Sequence, residues 1–304
     1  MKIEGHRGAR GLVPENTLAS FEKALDIGVT GIEFDVGITK DNHVVVVHDR
    51  EVNPAIARDM SGNWLKETGP AIWHLILDEL RAYDVGRLDP NSDYGRQFPQ
   101  QKVIDSARIP TLAQVVECMD QCGYPNVDLN IELKLNPHYP DSTMYPEAFA
   151  DRVVYEVEQL GISSRTKLQC FYWRVSQHVQ KIAPHIPTSY LTSEDNVFDT
   201  IQTDNRSGSH WTAPFNINDY ESVPHMVAAA DGGIWSPKYI AINPDLINSA
   251  HKLGLTVFTW TVNEEQDMRD LIDWSVDGII SDYPDRLRAV AQDMGLTVPD
   301  AAEE

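Results

Sequence analysis

Short apolar runs rich in Val and Ile alternate with helical stretches along nearly the whole chain, and this alternation limits the fold more than any other feature of the sequence. The runs lie near residues 2–6, 30–36, 43–48, 127–134, 166–171, 187–191, 233–241, 255–261 and 277–281. Helices are signalled at 17–25, 112–121, 146–160, 175–182, 244–253 and 264–272. Strands separated by helices belong to a parallel sheet with the helices packed outside it. The second and third runs depart from the rule, because the few residues between them cannot make a parallel crossover. Asp41-Asn42 is a reasonable two-residue turn, so these runs are expected to form an antiparallel hairpin that sets Asp35 directly opposite His48.

The ends of the runs carry the chemistry. The chain opens on Gly5-His6-Arg7-Gly8, continues through Pro14-Glu15-Asn16-Thr17, and then writes Glu33-Phe34-Asp35 and His48-Asp49. Imidazoles, a guanidinium and carboxylates in these places suggest a phosphoryl site. Glu33 and Asp35 are two apart in an extended context, so both project from one face of a strand. Two carboxylates on one face repel unless a cation sits between them. A second strand offers Glu132 and Lys134 on a common face in the same way. Hard oxygen ligands favour Mg²⁺ or Ca²⁺ over a metal that prefers thiolate or imidazole. Arg7 as a fork and Lys134 as a point charge would then hold phosphate oxygens.

The chain resembles the glycerophosphodiester phosphodiesterase family. The residues that carry the likeness are His6-Arg7-Gly8, Pro14-Glu15-Asn16-Thr17, Glu33-Phe34-Asp35, His48-Asp49, Ile109-Pro110-Thr111-Leu112, Glu132-Leu133-Lys134, Thr259-Trp260-Thr261-Val262-Asn263 and Asp277-Gly278-Ile279-Ile280-Ser281-Asp282. Each motif alone is weak, and their ordered set across nearly the whole chain is specific. The resemblance implies an α/β fold, a (β/α)₈ barrel of the TIM type, which leaves the hairpin to absorb the surplus strand. It also implies one divalent cation held at Glu33, Asp35 and Glu132, and acid/base histidines at His6 and His48 assisted by Arg7. The implied reaction is hydrolysis of glycerophosphodiesters to glycerol 3-phosphate and an alcohol, through attack by the neighbouring glycerol hydroxyl and a cyclic intermediate. One departure is visible: Cys170 and Tyr172 stand where the family usually writes Ser and often Asp.

Trp260, at a strand end facing the barrel mouth, is placed to stack on glycerol. Asp49 reads as a turn-starting residue after His48. A lysophospholipase D-like activity on lipids is the nearest alternative and would want an apolar rim for an acyl chain. A barrel glycosidase using Glu33 and Glu132 is a more remote one, with no use for Arg7, Lys134 and a third carboxylate.

Two stretches interrupt the alternation. Residues 50–107 are too many for a connecting loop and carry Trp64, Trp73, Tyr83 and Tyr94, so they read as an inserted cap at the site mouth, positioned to meet the leaving alcohol. Residues 194–224 form a second long connection and a candidate lid. The domain reading is one barrel over 1–290 with that insertion, and 291–304 as a disordered acidic tail.

With 46 acidic against 25 basic residues the net charge is −21, which argues against nucleic acid or a stable association with an anionic membrane and leaves a small-molecule partner. Oligomeric state is not legible. Three cysteines make no disulfide framework, and Cys118 with Cys122 reads as core thiols without zinc-ligand partners. Met1-Lys2-Ile3-Glu4 leads straight into the first run with no apolar leader, so the location expected of the sequence as written is cytoplasmic, or periplasmic or secreted if a signal was removed.

Overall fold

The computed structural model describes residues 1–299 and 301. Eight of the described strands run parallel and close into a ring in the order β1 (Lys2–His6), β2 (Gly31–Ile38), β4 (Asp128–Leu133), β5 (Thr166–Cys170), β6 (Thr188–Thr192), β7 (Ile234–Pro237), β8 (Thr256–Thr259) and β9 (Gly278–Ser281), with β9 pairing back to β1. The remaining strand, β3 (Val44–Val46), lies outside the ring and pairs antiparallel with β2. The fold is therefore the (β/α)₈ barrel expected, and the hairpin takes up the surplus strand.

Around the ring stand α1 (Leu18–Ile27), α3 (Leu112–Gln121), α4 (Pro146–Gln159), α5 (Trp173–Ile182), α6 (Val223–Ala229), α7 (Pro244–Lys252), α8 (Glu265–Asp273) and α9 (Pro284–Asp293), with a one-turn α2 (Leu77–Leu80) in the insertion. Their starts follow local chemistry. Thr17 caps α1 by accepting from the Ser20 N–H, Thr111 and Gln114 form a reciprocal capping box on α3, and Asn243 followed by Pro244 opens α7. Strand residues alternate between two cores. Ile32, Phe34 and Val36 of β2 point outward against helices, with Phe34 packed on Phe21 of α1 at 5.4 Å, while Glu33 and Asp35 point into the ring. At the amino-terminal end of the ring the buried Glu4 is satisfied by Lys167 Nζ at 2.5 Å and Asn130 Nδ2 at 2.9 Å.

The hairpin register differs from expectation by one residue. Val36 pairs with Val46, so Asp35 lies opposite Val47, whose N–H donates to the Asp35 carbonyl at 3.0 Å. The turn holds three residues rather than two: Thr39 N–H bonds to His43 O at 3.0 Å, and Asn42 adopts the left-handed conformation (φ 64°) that closes a three-residue loop. A slip of one residue would send His48 to the other face if the strand continued. The strand ends at Val46, and the chain turns His48 into the barrel mouth.

Three helices were not signalled, the one-turn α2 of the insertion among them. α6 is short and carries Pro224 in its first turn, which reads as loop. α9 hides its buried face, Leu287, Val290 and Ala291, among charged residues. The segment read as a tail from 291 begins inside α9: Ala291 is fully buried, and Leu296 and Val298 pack against the core. Residues 300 and 302–304 lie outside those described.

Residues 50–107 connect β3 to α3 and surround a small core of their own, including Val52, Ala57, Ile72, Leu80 and Val85, which continues onto Val45 and Val47. Of the cysteines, Cys118 and Cys170 are buried and Cys122 is exposed, so the core reading of that pair holds for one thiol. A carboxylate also stands beside them, with Cys118 Sγ 3.6 Å from Glu22 Oε1. Burial and Glu22 push the Cys118 thiol up to about 12, which keeps it protonated at neutral pH.

Candidate active site

The carboxyl end of β1 starts the site. His6 closes the strand, and Arg7 and Gly8 both take positive φ (50° and 88°), turning the chain sharply back over the barrel mouth. Only glycine fits at position 8, because a Cβ there would lie 2.5 Å from Ser20 Oγ and 2.7 Å from the Ser20 backbone. The turn brings Arg7 down onto the acidic strands. Its backbone N–H donates to Glu33 Oε2 at 3.1 Å, its guanidinium donates to Glu15 Oε1 at 2.7 Å, and its Nε stands 3.3 Å from Asp35 Oδ2.

Glu33 and Asp35 come from β2 and Glu132 from the neighbouring β4, where Asp35 and Glu132 are register partners. One oxygen from each of the three lies within 4.8 Å of the others, and all three residues are buried. Each is oriented from outside: Gln169 Nε2 donates to Glu33 at 3.0 Å, Asn16 Nδ2 to Asp35 at 3.0 Å, and Lys134 Nζ to Glu132 at 2.7 Å. Burial, followed by repulsion from Asp35 and Glu132, raises Glu33 well above the ordinary carboxylate range. Burial likewise pushes Glu132 up to about 7 despite Lys134. Burial opposes ionisation of Asp35 too, but Arg7, His48 and Lys134 outweigh it and hold that group low. Among the described residues Asp35 Oδ1 is buried without a hydrogen-bond partner. Clustered hard oxygens, mutual repulsion and an orphaned oxygen all fit a divalent cation of the Mg²⁺ or Ca²⁺ kind.

Both imidazoles are held at Nδ1 by a carboxylate, which leaves Nε2 for proton transfer. His6 Nδ1 lies 2.6 Å from Asp282 Oδ1, and His48 Nδ1 lies 2.9 Å from Asp49 Oδ1. The two carboxylates are anchored in turn, Asp282 by Arg10 (2.7 and 2.9 Å) and Asn263 (2.8 Å), and Asp49 by Asn53 (2.7 Å). Asp49 therefore does more than begin a turn. Burial, with help from Arg10, lowers His6 to about 4 against the pull of Asp282, and burial with Arg7 also lowers His48.

These groups open onto a cavity of about 850 Å³ with two unlike walls. Asp49, with Arg50, Glu51, Asn53 and Thr68 of the insertion, makes a polar side. Opposite stand Phe171, Phe198, Trp211 and Trp260, packed edge to face with centroids 5.0 to 6.3 Å apart. Trp260 is fixed by its Nε1, which donates to Ser236 O at 2.9 Å.

His6, Arg7, Glu33, His48, Glu132, Lys134 and Trp260 all line this cavity, and Asp35 sits behind Arg7 and Lys134. The orienting residues without an assigned role in the sequence reading are Arg10, Glu15, Asn16, Asn53, Gln169, Asn263 and Asp282. Glu15, Asn16, Asn263 and Asp282 lay within the family-like motifs, and that was their one visible signal. At the departure from the family pattern, the Cys170 thiol donates to Leu133 O (3.2 Å) and accepts from the Tyr172 N–H (3.3 Å), so a hydrogen-bonding group still occupies that place.

A barrel that gathers three buried carboxylates, two carboxylate-held imidazoles and an arginine at the carboxyl ends of its strands belongs to the barrel hydrolases of phosphate esters. The family model described as "Glycerophosphoryl diester phosphodiesterase family" matches residues 6–286, and the chain belongs to that family. It is similar to a glycerophosphodiester phosphodiesterase of Caldanaerobacter subterraneus, at 29% identity over 94% of this chain and 95% of the relative. A human lysophospholipase D is 26% identical over 93% of this chain and 83% of its own. Among solved structures, a Silicibacter pomeroyi protein provisionally named a glycerophosphoryl diester phosphodiesterase superposes with a TM-score of 0.87 at 35% identity, covering 98% of this chain and 95% of that one. The activity is hydrolysis of glycerophosphodiesters, and the family generally depends on a divalent metal. No helix among the described residues is long and apolar enough to cross a membrane.

Proposed function

We propose that Glu33, Asp35 and Glu132 hold one Mg²⁺ or Ca²⁺ ion, and that His6 and His48 carry the protons in cleavage of a glycerophosphodiester to glycerol 3-phosphate and an alcohol. The cation, when bound, supplies Lewis-acid stabilisation of charge on the phosphoryl oxygens. Arg7 and Lys134 add fixed positive charge on the same oxygens, already oriented by Glu15 and Glu132. One imidazole takes the proton of the attacking glycerol hydroxyl at Nε2, and the other returns a proton to the leaving alkoxide. Asp282 and Asp49 keep Nδ1 protonated and stabilise each imidazolium as it forms. In the second half-reaction, opening of the cyclic phosphate by water, the two roles exchange. Trp260 and Phe171 offer an apolar face to the carbon backbone of the glycerol.

The observation that carries this reading is the placement of two carboxylate-held histidines on the wall of the same cavity as Glu33 and Glu132, with Asp35 within reach of both carboxylates. A panel of glycerophosphodiesters with different head groups, assayed with and without chelator, tests it. Release of glycerol 3-phosphate in the metal-loaded arm supports the reading, and turnover indifferent to chelation opposes it.

A lysophospholipid substrate is the second reading. The aromatic wall and the size of the cavity favour it, since both leave room for an apolar chain that a small head group does not fill.

A further inference from the structure

The insertion touches the His48 side of the site through Asn53 on Asp49, and it reaches the Arg7 and His6 side through Tyr94. Tyr94 sits just ahead of a short turn at Gly95–Gln97, and its ring packs edge to face on Phe98 at 5.5 Å. Around it the insertion is fastened to the loop that follows β1: Gln101 Nε2 donates to Arg10 O at 2.7 Å, and the Lys102 N–H donates to Leu12 O at 2.8 Å. The Tyr94 hydroxyl donates to Glu15 Oε2 and accepts from Arg10 at 3.1 Å and from Arg7 at 3.4 Å. A phenol has one proton and two lone pairs, so every position on this oxygen is used.

Each partner leads to a different half of the site. Glu15 holds the guanidinium of Arg7, which lines the cavity. Arg10 grips both oxygens of Asp282, and Asp282 holds His6. We propose that Tyr94 is a positioning residue that fixes Arg7 through Glu15 and fixes His6 through Arg10 and Asp282, so that the insertion takes part in the chemical step and does not only select the alcohol. This rests on the reading of Arg7 as a phosphate ligand and His6 as a proton carrier. Without the hydroxyl, Glu15 Oε2 loses its donor and both guanidiniums lose an acceptor at a nearly dry site, where charged groups depend most on fixed partners.

The test is Tyr94→Phe in the full chain, which keeps the ring and its packing on Phe98. Three quantities are read together: affinity for inorganic phosphate by calorimetry, kcat and KM on glycerophosphocholine and on a small aryl phosphodiester, and the melting temperature. The expected result is a roughly tenfold loss of phosphate affinity and a kcat loss of similar size on both substrates, with a melt close to that of the parent. Phosphate affinity and kcat equal to the parent would overturn the proposal, and so would a lowered melt with phosphate affinity unchanged, which marks a purely structural hydroxyl. A loss confined to KM for glycerophosphocholine would also overturn it, since it marks a head-group contact. The phosphate titration does not depend on turnover, so it decides the role of Tyr94 even if the parent enzyme fails to cleave these diesters.

Discussion

Asp35 and Glu132 are register partners on adjacent parallel strands, so two carboxylates face the same barrel mouth with the orienting Lys134 Nζ 3.5 Å from one and 2.7 Å from the other. The lysine compensates part of that charge. The third carboxylate, Glu33, has no such lysine, and burial together with repulsion from Asp35 and Glu132 raises its affinity for a proton.

Removing one carboxylate should therefore weaken cation binding without unfolding the barrel. Glu33→Gln, Asp35→Asn and Glu132→Gln each delete a charge from a hard-cation site. Titration calorimetry with Mg²⁺ and with Ca²⁺ should show lower affinity for each variant. Parent-like dissociation constants in all three would contradict the assignment.

His6→Gln and His48→Gln should each lower kcat by about 10²- to 10⁴-fold with little change in KM, because a general acid or base acts mainly in the transition state. Asp282→Asn and Asp49→Asn should produce smaller losses of the same kind, since these groups act through the imidazoles. Steady-state kinetics on glycerophosphocholine measures all four. Near-parent kcat in either histidine variant would remove that histidine from the mechanism.

The acid sensitivity of folding has a defined sign at His6. An unfolded histidine titrates near about 6.5, whereas burial lowers His6 to about 4 in the fold. Between those values the unfolded chain binds more protons, so stability contributed by neutral His6 is complete above the upper value and is lost as pH falls toward the lower one. The slope from this group is at most about 1.4 kcal/mol per pH unit. Urea unfolding of chelated protein across that window should show a shallower pH dependence for His6→Gln than for the parent. Equal slopes would contradict the burial of an uncharged His6.

Much of this was legible in the sequence because it is local. Glu33 and Asp35 share a strand face by spacing alone, and all nine described strands coincide with apolar runs. The hairpin register failed because Asn42 accepts a left-handed conformation, and that choice adds one residue to the turn. Contacts that hold the site together join distant segments: His6 meets Asp282 across 276 residues, and Glu15 meets Tyr94 across 79. Periodicity carries no information about such pairs. α9 escaped notice because its buried stripe is written among arginines and aspartates, a pattern close to that of a solvated tail.

Gly8→Ala should destabilise the chain by more than about 1–2 kcal/mol, the cost of a left-handed backbone for a residue with a Cβ, because the Ser20 contacts add to it. Arg7 moves with this turn, so activity should fall together with the melting temperature. A variant with parent-like stability and rate would show that the turn can relax without moving Arg7.

The central claim is that a cation held by Glu33, Asp35 and Glu132 and protons carried by His6 and His48 cleave the phosphodiester on the alcohol side. Phosphorus NMR of glycerophosphocholine incubated with chelated enzyme, and then with the same enzyme reloaded with Mg²⁺ or Ca²⁺, measures this most directly. The expected result is glycerol 3-phosphate and free choline from the reloaded enzyme and none from the chelated one. Undiminished turnover after chelation, or release of phosphocholine in place of glycerol 3-phosphate, would contradict it.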